Sequence, residues 1–187
     1  MRKVSELFKL CDDLIILHGI SKCGALSDIP KDVKFIDQIV FSIKNLVSTF
    51  SFTFGEHNIE NHAYSRIGII IKEGKILGQK KEDAGSNNLA NSLINGYPNE
   101  NMESVLFSNR VCYNEIILED IEICGIWINA LDICDYSWIE INDASKKLNL
   151  LVYWFNAFGL LSTYWDENLK EYKADGTKIL KFKDIFC

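Results

Sequence analysis

Two groups of side chains in this chain are of types that do chemistry. The first is Glu56-His57-Asn58-Ile59-Glu60-Asn61-His62, with two carboxylates and two imidazoles close together. Imidazole and carboxylate ligate zinc or iron, and a histidine near a glutamate can serve as a general base. The spacing is not His-Glu-x-x-His, and on a helix His57 and His62 would point in different directions. Gly55, Asn58 and Asn61 around them fit a solvated turn, which is the plainer reading. The second group is a run of carboxylates. Between Val111 and Ser145 there is no Lys or Arg, yet Glu115, Glu119, Asp120, Glu122, Asp132, Asp135, Glu140 and Asp143 all fall there.

Other chemistries lack their signatures. No Gly-x-Ser-x-Gly elbow, phosphate loop or Gly-x-Gly-x-x-Gly run occurs, so neither an activated serine nor a nucleotide site is indicated. Asp132 with Asp135, or Glu119 with Asp120, has the composition of a glycosidase acid/base pair. Acidic pairs are common on any surface, however, and such enzymes need a deep cleft. The Asp-x-Asp-x-Asp-Gly pattern of a calcium loop is missing. No pair among the six cysteines, at 11, 23, 112, 124, 134 and 187, has Cys-x-x-Cys spacing. Reduced thiols are expected, with Cys11 and Cys124 as small core residues.

The chain has 20 basic and 26 acidic residues, a net charge of −6. Eight of the acids fall in the single window 111–145, so the rest of the chain is slightly basic. A field this local attracts a basic macromolecule and repels nucleic acid. The lysines at 170, 173, 178, 181 and 183 are offset by Glu171, Asp175 and Asp184 and form no nucleic-acid patch. The plain reading of the acids is solubility and protection of strand edges. The sharper reading draws on Tyr113, Trp127, Tyr136 and Trp138 in the same window, because aromatic anchors beside fixed carboxylates suit an interface for a basic protein.

At 187 residues, 48% of them hydrophobic, the chain fits one globular domain spanning 1–187. Met1-Arg2-Lys3 could open a signal peptide, but Glu6, Lys9, Asp12 and Asp13 interrupt any apolar core. No apolar stretch approaches a membrane span, and a cytoplasmic location with no membrane partner is expected. Val4, Leu7, Phe8, Cys11, Leu14, Ile15 and His18 recur at helical spacing, with His18 as a satisfied structural histidine or a C-terminal cap. A second helix starts near Pro30 and carries an apolar stripe from Ile36 through Phe50. Strands follow: Phe52 with Phe54, a hairpin of Tyr64–Lys72 and Lys75–Gln79 turning at Glu73-Gly74, then Glu103–Ser108, Tyr113–Leu118, Ile121–Asn129 and Trp138–Asn142. Ile121, Ile123 and Trp127 are expected on one face of their strand, with Cys124, Ile126 and Ile128 on the other. Residues 143–159 suit helix or strand equally. A last hairpin turns at Asp175-Gly176. The fold class is therefore α+β, an antiparallel β-sheet with N-terminal helices packed on one face.

A small acidic domain, the span Glu115–Asp143 with Trp127 and Trp138, and the lack of enzymatic motifs together resemble the immunity proteins of bacterial polymorphic toxin systems, including those of contact-dependent growth inhibition. The resemblance is of overall character and rests on no diagnostic motif. It implies a non-enzymatic protein without cofactors that neutralises a cognate toxin, often a basic nuclease, by covering its active site or substrate-binding surface with a complementary acidic patch. Such families share no single fold, so residues are taken from this chain's own charges. Glu119, Asp120, Glu122, Asp132 and Asp135 are the expected partner-binding residues. A small metal-dependent enzyme using Glu56–His62 is the alternative.

Overall fold

The computed structural model describes residues 2–9, 14–20, 32–53, 67–80, 115–129, 136–156, 159–180 and 185. Along them run α1 (Val4–Phe8), β1 (Leu14–Gly19), α2 (Phe35–Lys44), β2 (Val47–Thr53), β3 (Ile67–Lys80), β4 (Glu115–Asn129), α3 (Trp138–Leu148), β5 (Leu151–Asn156), β6 (Gly159–Asp166) and β7 (Glu171–Leu180). The seven strands form one sheet in the order β2-β1-β3-β4-β5-β6-β7. Only β4 and β5 run parallel. The α+β architecture expected from the sequence is present, with the helices on one face. Val4 and Leu7 of α1, Phe35 and Ile39 of α2, and Ile141 and Ala144 of α3 share a core with that face. Ile15, Leu17, Phe50, Ile70, Trp127 and Phe155 form a second core on the other face.

One extra pairing changes the shape of the sheet. β2 meets β1 through Phe50–Thr53 and meets β4 through Val47–Phe50. The pairings β1–β2, β2–β4, β4–β3 and β3–β1 therefore close a circuit, and β5-β6-β7 extend from the far half of β4. Long strands that take part in such closure must bend, and β-bulges are the usual means. The β3–β4 ladder has four register shifts, between Ile70/Ile71, Ile71/Glu73, Glu73/Lys75 and Ile76/Gly78.

Several local expectations differ from the structure. Leu14–Gly19 is a strand rather than the end of the first helix, because Leu14 and Ile16 enter one core while Ile15 and Leu17 enter the other. A run buried on both faces gives the same residue string as a buried helix turn, and tertiary pairing decides between them. The second helix ends at Lys44, where Asn45 turns extended and its side chain caps the Phe41 carbonyl at 2.7 Å. The alternation that follows in Val47–Thr53 belongs to β2. Glu73-Gly74 is no hairpin turn: β3 runs straight through it.

Trp138–Asn142 opens a helix instead of forming a strand. Ser137 accepts from the Glu140 amide at 3.2 Å and Glu140 accepts from the Ser137 amide at 3.1 Å, a reciprocal capping box. Asn149 in the left-handed conformation ends α3, and Leu151 begins β5. α3 is thus the crossover that two parallel neighbours require. The last hairpin turns at residues 167–170, where the Asp166 carboxylate accepts from the Asn168 and Leu169 amides. Asp175-Gly176 instead sits in a kink within β7, with Gly176 at φ +84°. The expected strand at Glu103–Ser108 lies outside the described residues.

Candidate functional site

The three described acidic candidates meet at the middle of β4. Apolar side chains of this strand enter the helix-side core at Ile116, Leu118, Ile121, Ile123, Ile126 and Ile128. The steps between them alternate two and three residues. Each three-residue step crosses a register shift, one near Asp120 and one near Cys124, since a bulge inserts a residue and keeps the next one on the same face. Trp127 therefore faces the opposite core. Ile121 and Ile123 share their face with Ile126 and Ile128, not with Trp127. Asp120 takes the left-handed backbone at φ +51°, a conformation that Asp tolerates better than most residues.

The bulge turns Asp120 outward. Its side chain is 68% exposed, that of Glu119 is half-buried, and Glu122 is exposed. Lys75 of β3 reaches both neighbours, at 2.5 Å from Asp120 Oδ2 and 3.5 Å from Glu119 Oε1. The hydrogen bond to Asp120 and the two negative charges push the Lys75 ammonium above its ordinary value. Glu122 stands opposite Glu73 across the ladder. Burial raises Glu73, but the Gly74 and Ser5 amides and nearby Lys3 outweigh it and hold the carboxyl low. Four carboxylates at this bulge (Glu73, Glu119, Asp120 and Glu122) thus share their surroundings with Lys3, Lys72 and Lys75 on adjoining backbone. The local field is weaker than the charge sum along the sequence implies, because lysines distant in sequence fold onto the acids.

The other described acids of the window scatter. Glu115 is 2% exposed and accepts a hydrogen bond from the Ser48 hydroxyl. Glu140 is committed to the cap of α3, and Asp143 lies exposed farther along that helix. Asp132 and Asp135 lie outside the described residues, as do Glu56, His57, Glu60 and His62. The aromatics expected beside the acids are largely internal. Trp127 is 0% exposed, in ring contact with Phe50 and Phe155, and its indole N–H donates to the His18 carbonyl at 3.3 Å. Tyr136 is buried against Phe35, and Trp138 packs half-buried on Tyr172. Their burial removes Trp127 and Tyr136 from any surface role.

One polar arrangement was not anticipated. His18 is half-buried on β1, with Nδ1 2.7 Å from the Ser48 carbonyl and Nε2 3.2 Å from the Ser42 hydroxyl. A carbonyl only accepts, so Nδ1 carries the proton and Nε2 accepts from Ser42. Burial pulls the imidazole below its ordinary value, and the Ser48 hydrogen bond offsets part of that shift. The histidine is structural, as one of the two sequence readings had it, although it sits on a strand. Cys124 is half-buried with a free thiol, and burial pushes it up to about 12, so it is a poor nucleophile at neutral pH. Among the described residues no cluster of His, Cys, Asp and Glu could hold a metal ion, and no helix is long and apolar enough to cross a membrane. No protein-family model, curated protein or solved structure matches the chain.

Proposed function

We propose that this protein is a non-catalytic inhibitor of the immunity type, which binds a basic protein toxin through carboxylates at the centre of β4. The observation that carries this reading is the placement of Glu119, Asp120 and Glu122 on one bulged, solvent-facing segment. Strands hold charged groups more rigidly than loops do, and preset carboxylates steer an Arg- or Lys-rich surface into register. The sequence reading counts Asp132 and Asp135 in the same partner-binding set, and a basic nuclease domain is the favoured partner. The aromatic contribution is dropped for Trp127 and Tyr136, so charge and shape at the bulge supply the recognition.

The test is co-purification from the native host, comparing the wild type with a Glu119→Lys/Glu122→Lys variant. A partner of basic composition should be retained by the wild type and lost by the double reversal, with the retained complex weakening as salt rises. Equal recovery with both proteins, in low and high salt, would sink the proposal. Glu122 is exposed, but Glu119 is half-buried beside Lys75, so a loss of about 1 kcal/mol is expected, and thermal melts would show whether a loss of binding reflects misfolding.

A further inference from the structure

His18 takes no part in the carboxylate surface, and its position suggests a separate role. Only Asn45 and Leu46 separate α2 from β2. The imidazole holds this corner from both sides, through the Ser42 hydroxyl at the end of the helix and the Ser48 carbonyl at the start of the strand. On the opposite face of β2, the Ser48 hydroxyl is tied to Glu115 of β4. One ring therefore links α2, β1 and β2, and through Ser48 it is connected to the strand that closes the circuit.

In the observed linkage Nε2 is bare and accepts from the Ser42 hydroxyl. After protonation both ring nitrogens donate, and the Ser42 hydroxyl must turn to accept. The new charge then has one hydroxyl and one carbonyl as partners. No carboxylate bears on the ring from the described elements around it. β2 carries no ionisable residue, and β3, on the other edge of β1, presents Ile67, Gly68, Ile69 and Ile70. Asp37 and Lys44 of α2 are exposed, while Glu115 is engaged with Ser48 on the far side. A charge so placed favours any opening that admits water. The strands resist, because β1 is hydrogen-bonded on both edges. The end of α2 pairs with no strand and rests on the core through Ile39, Ser42 and Ile43, with Asn45 capping its last turn.

We propose that His18 is a proton-operated pin, whose protonation frees the C-terminal turn of α2 and the α2–β2 corner while the strands stay paired. A histidine whose imidazole is held below its unfolded value binds fewer protons folded than open. The pin is therefore fully engaged above about pH 6.5 and loses hold as pH falls below that value. Each pH unit between the unfolded and folded values multiplies the open population by up to about ten.

Amide hydrogen exchange on the whole chain at pH 7.5 and 5.5, corrected for intrinsic rates, tests this together with an NMR titration of His18. Exchange at residues 39–48 should accelerate several-fold on acidification, beginning near pH 6.5 and levelling off where the folded His18 titrates, with little change in β3 and β4. His18→Gln should abolish the acid response. In Ser42→Ala, which keeps the imidazole, the helix end should be loose at both pH values and respond less. Uniform acceleration across the sheet would overturn the proposal. So would an acid response of full size in Ser42→Ala, or a His18 that titrates at its ordinary value.

Discussion

Glu115 and Asp120 lie five positions apart on the same strand and have opposite fates. Glu115 is enclosed where β4 is flanked by β2 and β3, and it serves the fold through Ser48. Asp120 lies where the ladder slips, and its only described ion-pair partner is Lys75. At the far end of β4 the strand is enclosed again, with β3 on one side and β5 on the other and Trp127 at its centre. Acidic residues near in sequence thus divide between support and surface according to what flanks the backbone. A charge count along the chain does not distinguish them.

Substitutions along β4 should divide in the same way. The largest effect is expected at the enclosed end. Trp127→Ala removes the centre of the second core and should cost about 3–5 kcal/mol in urea unfolding. At Glu115, an alanine leaves the Ser48 hydroxyl without its carboxylate in a buried setting, and a loss of about 1–3 kcal/mol is expected. A value near zero there would mean that the two carboxylates differ less than their burial suggests. The smallest effect belongs to Asp120→Gly. Glycine adopts positive φ without steric penalty, so relief of backbone strain should offset the lost Lys75 contact and leave stability within about 1 kcal/mol of wild type. A marked destabilisation by that change would show that the bulge depends on the ion pair.

The sequence disclosed the fold class and the presence of the second helix, because a wide apolar stripe has one economical reading, but it carried that helix through Phe50, where the structure has β2 from Val47 onward. It did not disclose the faces of β4, where Cys124 occupies a bulge and shifts every later side chain by one step. An expectation based on strict alternation placed Trp127 with Ile121 and Ile123, and the slip separates them. The Ser137-x-x-Glu140 signature was present and would have marked the start of α3, but the apolar residues after it favoured a strand. The same gap affected the site. Glu119, Asp120 and Glu122 were legible as acids, whereas Lys75 and Lys3 approach them only through long-range pairing. His18, Ser42 and Ser48 come from three elements joined by tertiary structure, and no local spacing announces them.

The closed circuit of β1, β2, β4 and β3 has a consequence for a chain still being synthesised. β2 and β3 each need β4, which follows them by many residues, and contacts so distant in sequence form late. A nascent chain halted after β3 would carry two open strand edges, with a single later segment required to cover both. Until the ribosome has released that segment, these edges are where chaperones would be needed and where strand exchange between neighbouring copies would begin.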